Sequence, residues 1–192
     1  MVQKIAWFKE QWQNKWFRLF FIFVLAAGIG LTAEWIAFSY GFFKILRYLF
    51  LYAALFLIAW IDQKNKRIPN QILKALLAVR GIVFIMEWMT YPKLGSALLL
   101  SVGMGALLGG VMFLLAHFIS KGGVGMGDVK LLAVIGCYVG SGGIMSAAFL
   151  SAVCGALYSI TMLLFKKIKL KEEIPFAPFI FAGTMLTMAL GM

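Results

Sequence analysis

The sequence has few charged residues. They make up 13% of its 192 positions, while 63% of the residues are hydrophobic. A soluble domain is usually about one quarter charged and about half apolar. This composition therefore excludes a water-soluble globular protein, and it predicts an integral membrane protein with the lipid bilayer as its main partner.

Cysteine and histidine are nearly absent. Cys137 and Cys154 lie inside apolar runs without a CxxC pair, and His117 is the only histidine. Two isolated cysteines behave most often as small buried apolar residues, and a lone histidine cannot assemble a metal site. We therefore expect no metal cofactor.

Acidic residues are also scarce, with 7 Asp and Glu against 18 Lys and Arg and a net charge of +11. A nucleic acid would attract such a charge. However, most of the cations occur in short runs between apolar segments, which is the pattern that orients a membrane protein. We therefore expect no nucleic-acid partner.

Long apolar runs fill most of the remaining sequence. Residues 1–16 place lysines among aromatic residues at helical spacing, which predicts a short interfacial helix; a disordered tail is the alternative. About seven apolar segments follow, at residues 17–38, 42–61, 71–89, 95–119, 129–139, 144–165 and 174–190. The sequence therefore predicts an all-α, polytopic transmembrane helical bundle that forms a single domain over residues 1–192.

The fifth segment, 129–139, is shorter than the about 20 residues that span a hydrocarbon core. It ends in Gly140-Ser141-Gly142-Gly143, a sequence that favours a turn. If this segment re-entered the membrane without crossing it, the basic run at 166–171 would move to the outside. We therefore predict a short but complete crossing.

The distribution of Lys and Arg predicts the orientation. The amino-terminal tail and three later loops carry 14 of the 18 cations, the opposite side carries 3, and Arg80 lies within the third segment. Basic residues accumulate on the cytoplasmic side of membrane proteins. We therefore expect a cytoplasmic amino terminus.

Aspartate occurs only twice in the sequence. Asp62 ends the second apolar segment and Asp128 begins the fifth. Two full spans separate them, and an even number of crossings returns the chain to the same face. We therefore expect both carboxylates at the cytoplasmic ends of helices, at similar depth.

Two carboxylates in one site cannot both ionise cheaply, so they hold one proton between them. The ionised partner takes a proton from water, and the protonated partner donates to a scissile carbonyl. This arrangement hydrolyses an amide without a metal or a covalent intermediate. The alternative is that each aspartate only marks a helix end, which suits Asp128 at an amino terminus but not Asp62 at a carboxyl terminus.

A glycine-rich stretch, Gly122-Gly123-Val124-Gly125-Met126-Gly127, precedes Asp128. Glycine permits close backbone approach, and a protease needs an extended substrate backbone beside its carboxylates. We therefore predict Gly125, Met126, Gly127 and Lys130 as the active-site loop along which substrate approaches. The stretch lacks the Gly-Lys-Ser/Thr ending of a phosphate-binding loop.

These motifs resemble those of the type IV prepilin peptidases, which are GxGD aspartyl proteases. The matching pieces run from Asp62 through Ile68-Pro69-Asn70, then GMGDVKLL at 125–132, then IPFAPF at 174–179. Ala177 stands where many relatives have glycine. The resemblance implies that Asp62 and Asp128 are the catalytic pair.

The resemblance further implies a multi-pass protein of the cytoplasmic membrane with its active site at the cytoplasmic face. It implies cleavage of prepilins or pseudopilins after a glycine and before an apolar helix. Longer members carry two CxxC pairs ahead of the matching region, and many also N-methylate the product with S-adenosylmethionine. This chain has no CxxC pair, so we expect a short form that cleaves but methylates poorly or not at all.

Two other functions are compatible with the same residues. A small ion-coupled transporter could bind a cation at Asp62 and Asp128, because carboxylates in lipid often mark ion paths. Transporter sites usually lie near the midplane of the membrane, however, and not at one face. A structural membrane subunit could instead pair the aspartates with Lys130 or Arg67.

Overall fold

The computed structural model of the chain describes residues 15–120, 123–165 and 174–191. Most of the predicted interfacial segment at 1–16 and the basic run at 166–171 lie outside these ranges. The chain divides into two compact units, Met1–Tyr40 and Gly41–Met192. The single domain expected from the sequence stays a prediction.

The first unit contains one described helix, α1, at Lys15–Ala37. Its 23 residues extend about 35 Å at the usual rise of an α-helix, which exceeds the thickness of a hydrocarbon core. The helix ends just before Ser39, whose φ of 55° is left-handed.

The second unit holds five described α-helices. They are α2 at Phe42–Asn65, α3 at Asn70–Thr90, α4 at Gly95–Ile119, α5 at Met126–Leu164 and α6 at Ala177–Ala189, with a single 3₁₀ turn at Pro92–Leu94 before α4. No strand occurs in the described ranges. The prediction of an all-α protein is therefore confirmed.

Four helical stretches are long and apolar enough to cross a membrane, namely Phe17–Ala37, Phe42–Asn65, Pro92–Ile119 and Met126–Leu164. The protein is thus a multi-pass membrane protein, and the count of about seven segments is not confirmed. Two of the predicted segments do not qualify. α3 carries Lys74, Arg80 and Glu87, and α6 has only 13 residues, about 20 Å at 1.5 Å per residue.

Helix α5 is broken at Gly140, where φ is 79° and ψ is −177°. A straight helix would hold Asp128 and Gly155 about 40 Å apart. Both nevertheless lie close to the start of α6. The Phe176 ring comes within 2.9 Å of where a Gly155 Cβ would be, and Ala177 contacts Asp62, which shares a cleft with Asp128. The chain therefore reverses at Gly140, giving a first arm at 126–139 and a second at 141–164.

This geometry corrects the boundary predicted from the sequence. The sequence predicts a turn over Gly140-Ser141-Gly142-Gly143, but the last three residues are helical and only Gly140 leaves the helix. A positive φ is readily available to glycine, and one such residue is enough to redirect the chain. A side chain at 140 would also meet the Ser101 Oγ at 2.5 Å.

Helix α4 packs against the first arm of α5 through glycines. A Cβ on Gly105 would overlap the carbonyl oxygen of Gly136, and a Cβ on Gly136 would overlap that of Gly105. A Cβ on Gly109 would likewise lie 2.5 Å from the Leu132 carbonyl oxygen. Small residues are the usual means by which helices approach closely in lipid, so this contact fixes the first arm, and with it Asp128.

A buried ion network joins α2, α3 and α5. Arg80 Nη1 donates to Glu87 Oε2 at 2.9 Å, and Arg47 Nη1 lies 3.4 Å from Glu87 Oε1. Arg80 Nε also donates to the Cys137 carbonyl at 2.8 Å. The last carbonyls of a helical arm lack partners within the helix, so Arg80 caps the first arm just before its break.

Candidate active site

Asp62 lies in the last turn of α2 and is only 5% exposed. A negative charge is disfavoured at the carboxyl end of a helix. The amino terminus of α6 offsets this, because the Ala177 backbone N–H donates to Asp62 Oδ2 at 3.1 Å. Asp62 is thus held by a helix that follows it by more than a hundred residues.

Asp128 is the third residue of α5 and is 9% exposed. Gly125 precedes the helix in an extended conformation, and the Asp128 carboxylate reaches back to it, with Oδ2 3.1 Å from where a Gly125 Cβ would be. An acidic side chain in the first turn complements the helix dipole, so this position suits the charge of Asp128.

Both aspartates line one cleft of about 360 Å³, here called the aspartate cleft. They are near enough for the charge of Asp62 to oppose a charge on Asp128. The cleft is also lined by the four residues predicted to form the approach loop, which are Gly125, Met126, Gly127 and Lys130. The prediction of a loop is correct only for Gly125, because α5 already begins at Met126 and includes the other three in its first turns. The structure therefore brings together every site residue that the sequence singled out.

The link between α2 and α3 forms another wall of the cleft. Lys66 ends α2 with a left-handed φ of 49°, and its N–H donates to the Asp62 carbonyl at 2.7 Å. The chain then turns through Arg67 to Ile68, which packs against Gly127. A Cβ on Gly127 would lie only 3.2 Å from the Ile68 Cβ. The glycine thus allows the link after Asp62 to contact the start of the helix that carries Asp128.

Basic side chains surround the mouth of the cleft. Lys66, Arg67 and Lys130 all line it and are exposed. Among the residues that the structure describes, none of the three forms an ion pair with either aspartate. The third function considered from the sequence, in which Lys130 or Arg67 neutralises an aspartate for structural purposes, has no such contact to support it.

Sequence reasoning missed the role of Ala177. In the sequence, Ala177 stands out only because many relatives have glycine at this position. In the structure, its N–H is the donor to Asp62. A backbone donor leaves no side-chain signal. The only available indication was Pro175 and Pro178, because prolines near a helix start mark where unpaired N–H groups are exposed.

His117 has a local structural role. Its ring nitrogen Nδ1 bonds the Val124 carbonyl, and Ser120 Oγ accepts from the Val124 N–H at 3.2 Å. These bonds fasten the chain as it leaves α4 and approaches Gly125. Within the described part of the chain, no group of three or more His, Cys, Asp or Glu is placed to hold a metal ion.

Comparison with known proteins assigns the family. Residues 49–160 match the model of the type IV leader peptidase family, and this match covers more than half of the chain. The chain belongs to the type IV leader peptidase family. The matched residues include Asp62, the whole approach loop and Asp128.

Similar curated proteins are named prepilin leader peptidase/N-methyltransferase. The Bacillus subtilis protein is 34% identical over 143 residues, which cover 71% of this chain and 52% of that protein. A Xanthomonas campestris protein is 31% identical, covering 73% and 47%, and a Burkholderia pseudomallei protein is 28% identical, covering 73% and 45%. The chain spans about half the length of these relatives. No solved structure matches it.

Proposed function

We propose that this protein is an intramembrane aspartyl endopeptidase that removes the leader peptide of type IV prepilins or pseudopilins. The observation that carries the proposal is the meeting of Asp62 and Asp128 in one cleft, within motifs of the leader peptidase family. Buried ionisable groups in membrane proteins usually have a function. The names of the relatives supply the substrate class.

The proposed reaction uses one proton shared by the two carboxylates. The ionised carboxylate removes a proton from water, which attacks the scissile carbonyl, and the protonated carboxylate donates to the carbonyl oxygen. The proton taken from water then passes to the leaving amine as the C–N bond breaks, and a hydroxyl of the gem-diol returns its proton to the other carboxylate as the new carbonyl forms. Because the pair titrates as a unit, neither aspartate is assigned a fixed role.

The approach loop supports this chemistry. Gly125 and Met126 are exposed in the cleft, and Gly125 has an extended backbone. An extended substrate segment beside them would have free backbone groups to pair, whereas a helical substrate would not. We therefore propose that substrate unwinds at the scissile bond and pairs with the extended backbone at Gly125, just before α5.

We propose the following membrane arrangement. The two arms of α5 cross separately, so the described helices make seven crossings with the amino terminus and the aspartate cleft at the cytoplasmic face. The first arm extends only about 21 Å, and a locally thin bilayer would accommodate it. The cation distribution in the sequence supports this orientation.

Cleavage as proposed needs neither a metal nor an organic cofactor. Methylation of the new amino terminus with S-adenosylmethionine is a separate activity. The mass of the processed amino terminus, with and without that donor, distinguishes a peptidase alone from one that also methylates.

The function is tested by reconstituting the purified protein in liposomes with a purified prepilin and a metal chelator. We expect a single cut at the leader boundary, identified by mass spectrometry of both products. A prepilin whose boundary glycine is replaced by a bulky residue serves as the matched control and should remain intact. Cation flux through the liposomes without any cleavage would support the transporter function and contradict the proposal.

A further inference from the structure

A second cavity, of about 490 Å³, lies beside the aspartate cleft and is here called the lateral groove. Its apolar walls are formed by Leu73 and Leu77 of α3, by Ala133, Val134 and Cys137 of α5, and by Ala106 of α4. Its volume is within the range of cavities that hold ligands. The proposed reaction makes no use of it.

The two walls have matching helical spacing. Asn70, Leu73, Lys74 and Leu77 follow the i, i+3, i+4, i+7 pattern on α3, and Lys130, Ala133, Val134 and Cys137 repeat it on α5. Each wall therefore presents one helix face over about 10 Å, or two turns. Both helices begin at the aspartate cleft, so the groove runs away from it along their length.

Polarity changes along the groove. Asn70 and Lys130 line both the groove and the aspartate cleft, so the two cavities adjoin at these residues. Lys74 adds a further cation near this shared mouth, while Leu77, Ala106 and Cys137 make the far end apolar. An occupant must therefore be polar where it meets the cleft and apolar beyond it.

We propose that the lateral groove holds the first two turns of the apolar helix that follows the scissile bond of the substrate. This inference rests on the proposed peptidase function. A peptide whose scissile bond lies at the aspartates has to leave the cleft, and the groove adjoins the cleft at Asn70 and Lys130. A helix satisfies its own backbone groups among apolar walls, and helix-in-groove docking is a common recognition mode.

The geometry fixes an approximate register. Cys137 follows Asp128 by nine positions along the first arm of α5, which is about 14 Å. A substrate helix that starts at Asp128 and runs beside this arm would bring about its ninth residue next to Cys137. Substrate positions three or four residues away would lie on the same face.

Crosslinking through the native thiol tests this register. The enzyme keeps Cys137, carries Cys154→Ala, and carries Asp62→Asn to hold substrate uncut. Single cysteines are scanned through the substrate helix. We expect disulfides at about position nine and at helical spacing around it. The matched enzyme with Cys137→Ala that retains Cys154, which does not line the groove, should give none.

A matched pair of substitutions on α4 tests the groove without crosslinking. Ala106→Phe fills the groove, while Ala97→Phe makes the same change at an exposed position of the same helix. We expect Ala106→Phe to raise KM for prepilin about tenfold or more while kcat changes by less than about twofold. Ala97→Phe should leave both unchanged.

The outcomes separate this inference from the proposed function. Absence of cleavage by the wild-type enzyme would contradict the peptidase itself. Normal cleavage by the wild type, with no Cys137 crosslinks and an unchanged KM for Ala106→Phe, would contradict only the proposal that the groove binds the substrate helix. A fall in kcat at constant KM, or a copurified lipid that substrate does not displace from the groove, would also overturn it.

Discussion

At the scale of single residues, Asp62 shows how a disfavoured position can be stabilised from elsewhere in the chain. It occupies the carboxyl end of α2, where the helix dipole opposes its charge. The buried N–H of Ala177 and the amino terminus of α6 supply the compensating positive potential. The orientation of this carboxylate in the cleft therefore depends on α6 as well as on its own helix.

Replacing Ala177 by proline tests this dependence. Proline is tolerated at the first position of a helix but removes the N–H, so Asp62 loses its donor. Because proline also disfavours the α conformation of Phe176 before it, thermal unfolding is measured in parallel to show that α6 still forms. A hydrogen bond to a charged group is worth about 1.5–3 kcal/mol, so we expect cleavage of prepilin to slow by about tenfold or more. The measurement is kcat for the reconstituted enzyme.

Ala177→Gly is the control for this change, because it keeps the N–H and removes only a methyl group. It should retain most of the wild-type rate. If the proline and glycine variants cut equally fast, the Ala177 hydrogen bond has no part in the reaction.

The meeting of the aspartates in one cleft was predictable because the sequence contains only two, one at the end of an apolar segment and one at the start of another. The glycines before Asp128 predicted a loop, but α5 begins at Met126, three residues before the predicted segment. The Ala177 contact was not predictable, since it joins a side chain to a backbone group 115 positions away. Contacts of that kind depend on the tertiary fold and leave no spacing in the sequence.

At the scale of elements, the closeness of α4 and α5 depends on particular glycines. Gly105→Ala places a methyl group against the Gly136 carbonyl, while a methyl group on Gly103 of the same helix would have nothing within 4 Å. We expect Gly105→Ala to destabilise the protein by about 1–3 kcal/mol. Thermal unfolding in detergent measures the change.

Gly103→Ala supplies the comparison, because it adds helix propensity without a clash. It should be neutral or stabilising by up to about 1 kcal/mol. Equal unfolding temperatures for the two variants would show that α4 and α5 are not in backbone contact at Gly105.

The ion network between helices gives a second test at this scale. Glu87 faces two cations, Arg80 and Arg47. Glu87→Gln leaves both without their counter-charge, and breaking a buried pair from one side costs about 3–5 kcal/mol. We expect a markedly lower unfolding temperature, and an unchanged one would show that the network does not stabilise the fold.

The sequence predicted most helices to within a few residues but not the form of α5. The run Gly140-Ser141-Gly142-Gly143 correctly indicated a break. Its confinement to Gly140 could not be foreseen, because three glycine or serine residues can be helical when tertiary packing holds them.

The ion network was not predictable either. The spacing of Arg80 and Glu87 over two turns does not by itself reveal a pair shared with Arg47 on another helix.

At the scale of the whole molecule, the position of the cleft relative to the membrane determines what it can cut. Labelling of single cysteines shows on which side of the membrane each position lies. The cysteines replace the exposed residues Asn65, Ser120 and Tyr91, one at a time, in a chain whose two native cysteines are changed to alanine. We expect an impermeant maleimide to label position 91 in intact cells, and positions 65 and 120 only after permeabilisation. Labelling of 65 and 120 from opposite sides would contradict a shared cytoplasmic face.

The most direct test of the central claim removes one carboxylate at a time. Asp62→Asn and Asp128→Asn keep the shape of each side chain but cannot exchange the shared proton, and general acid–base catalysis commonly contributes about 100-fold or more. We predict that each variant inserts, purifies and unfolds like the wild type, yet cleaves prepilin at least about 100-fold more slowly. Cleavage at the wild-type rate by either single variant would contradict the two-aspartate mechanism.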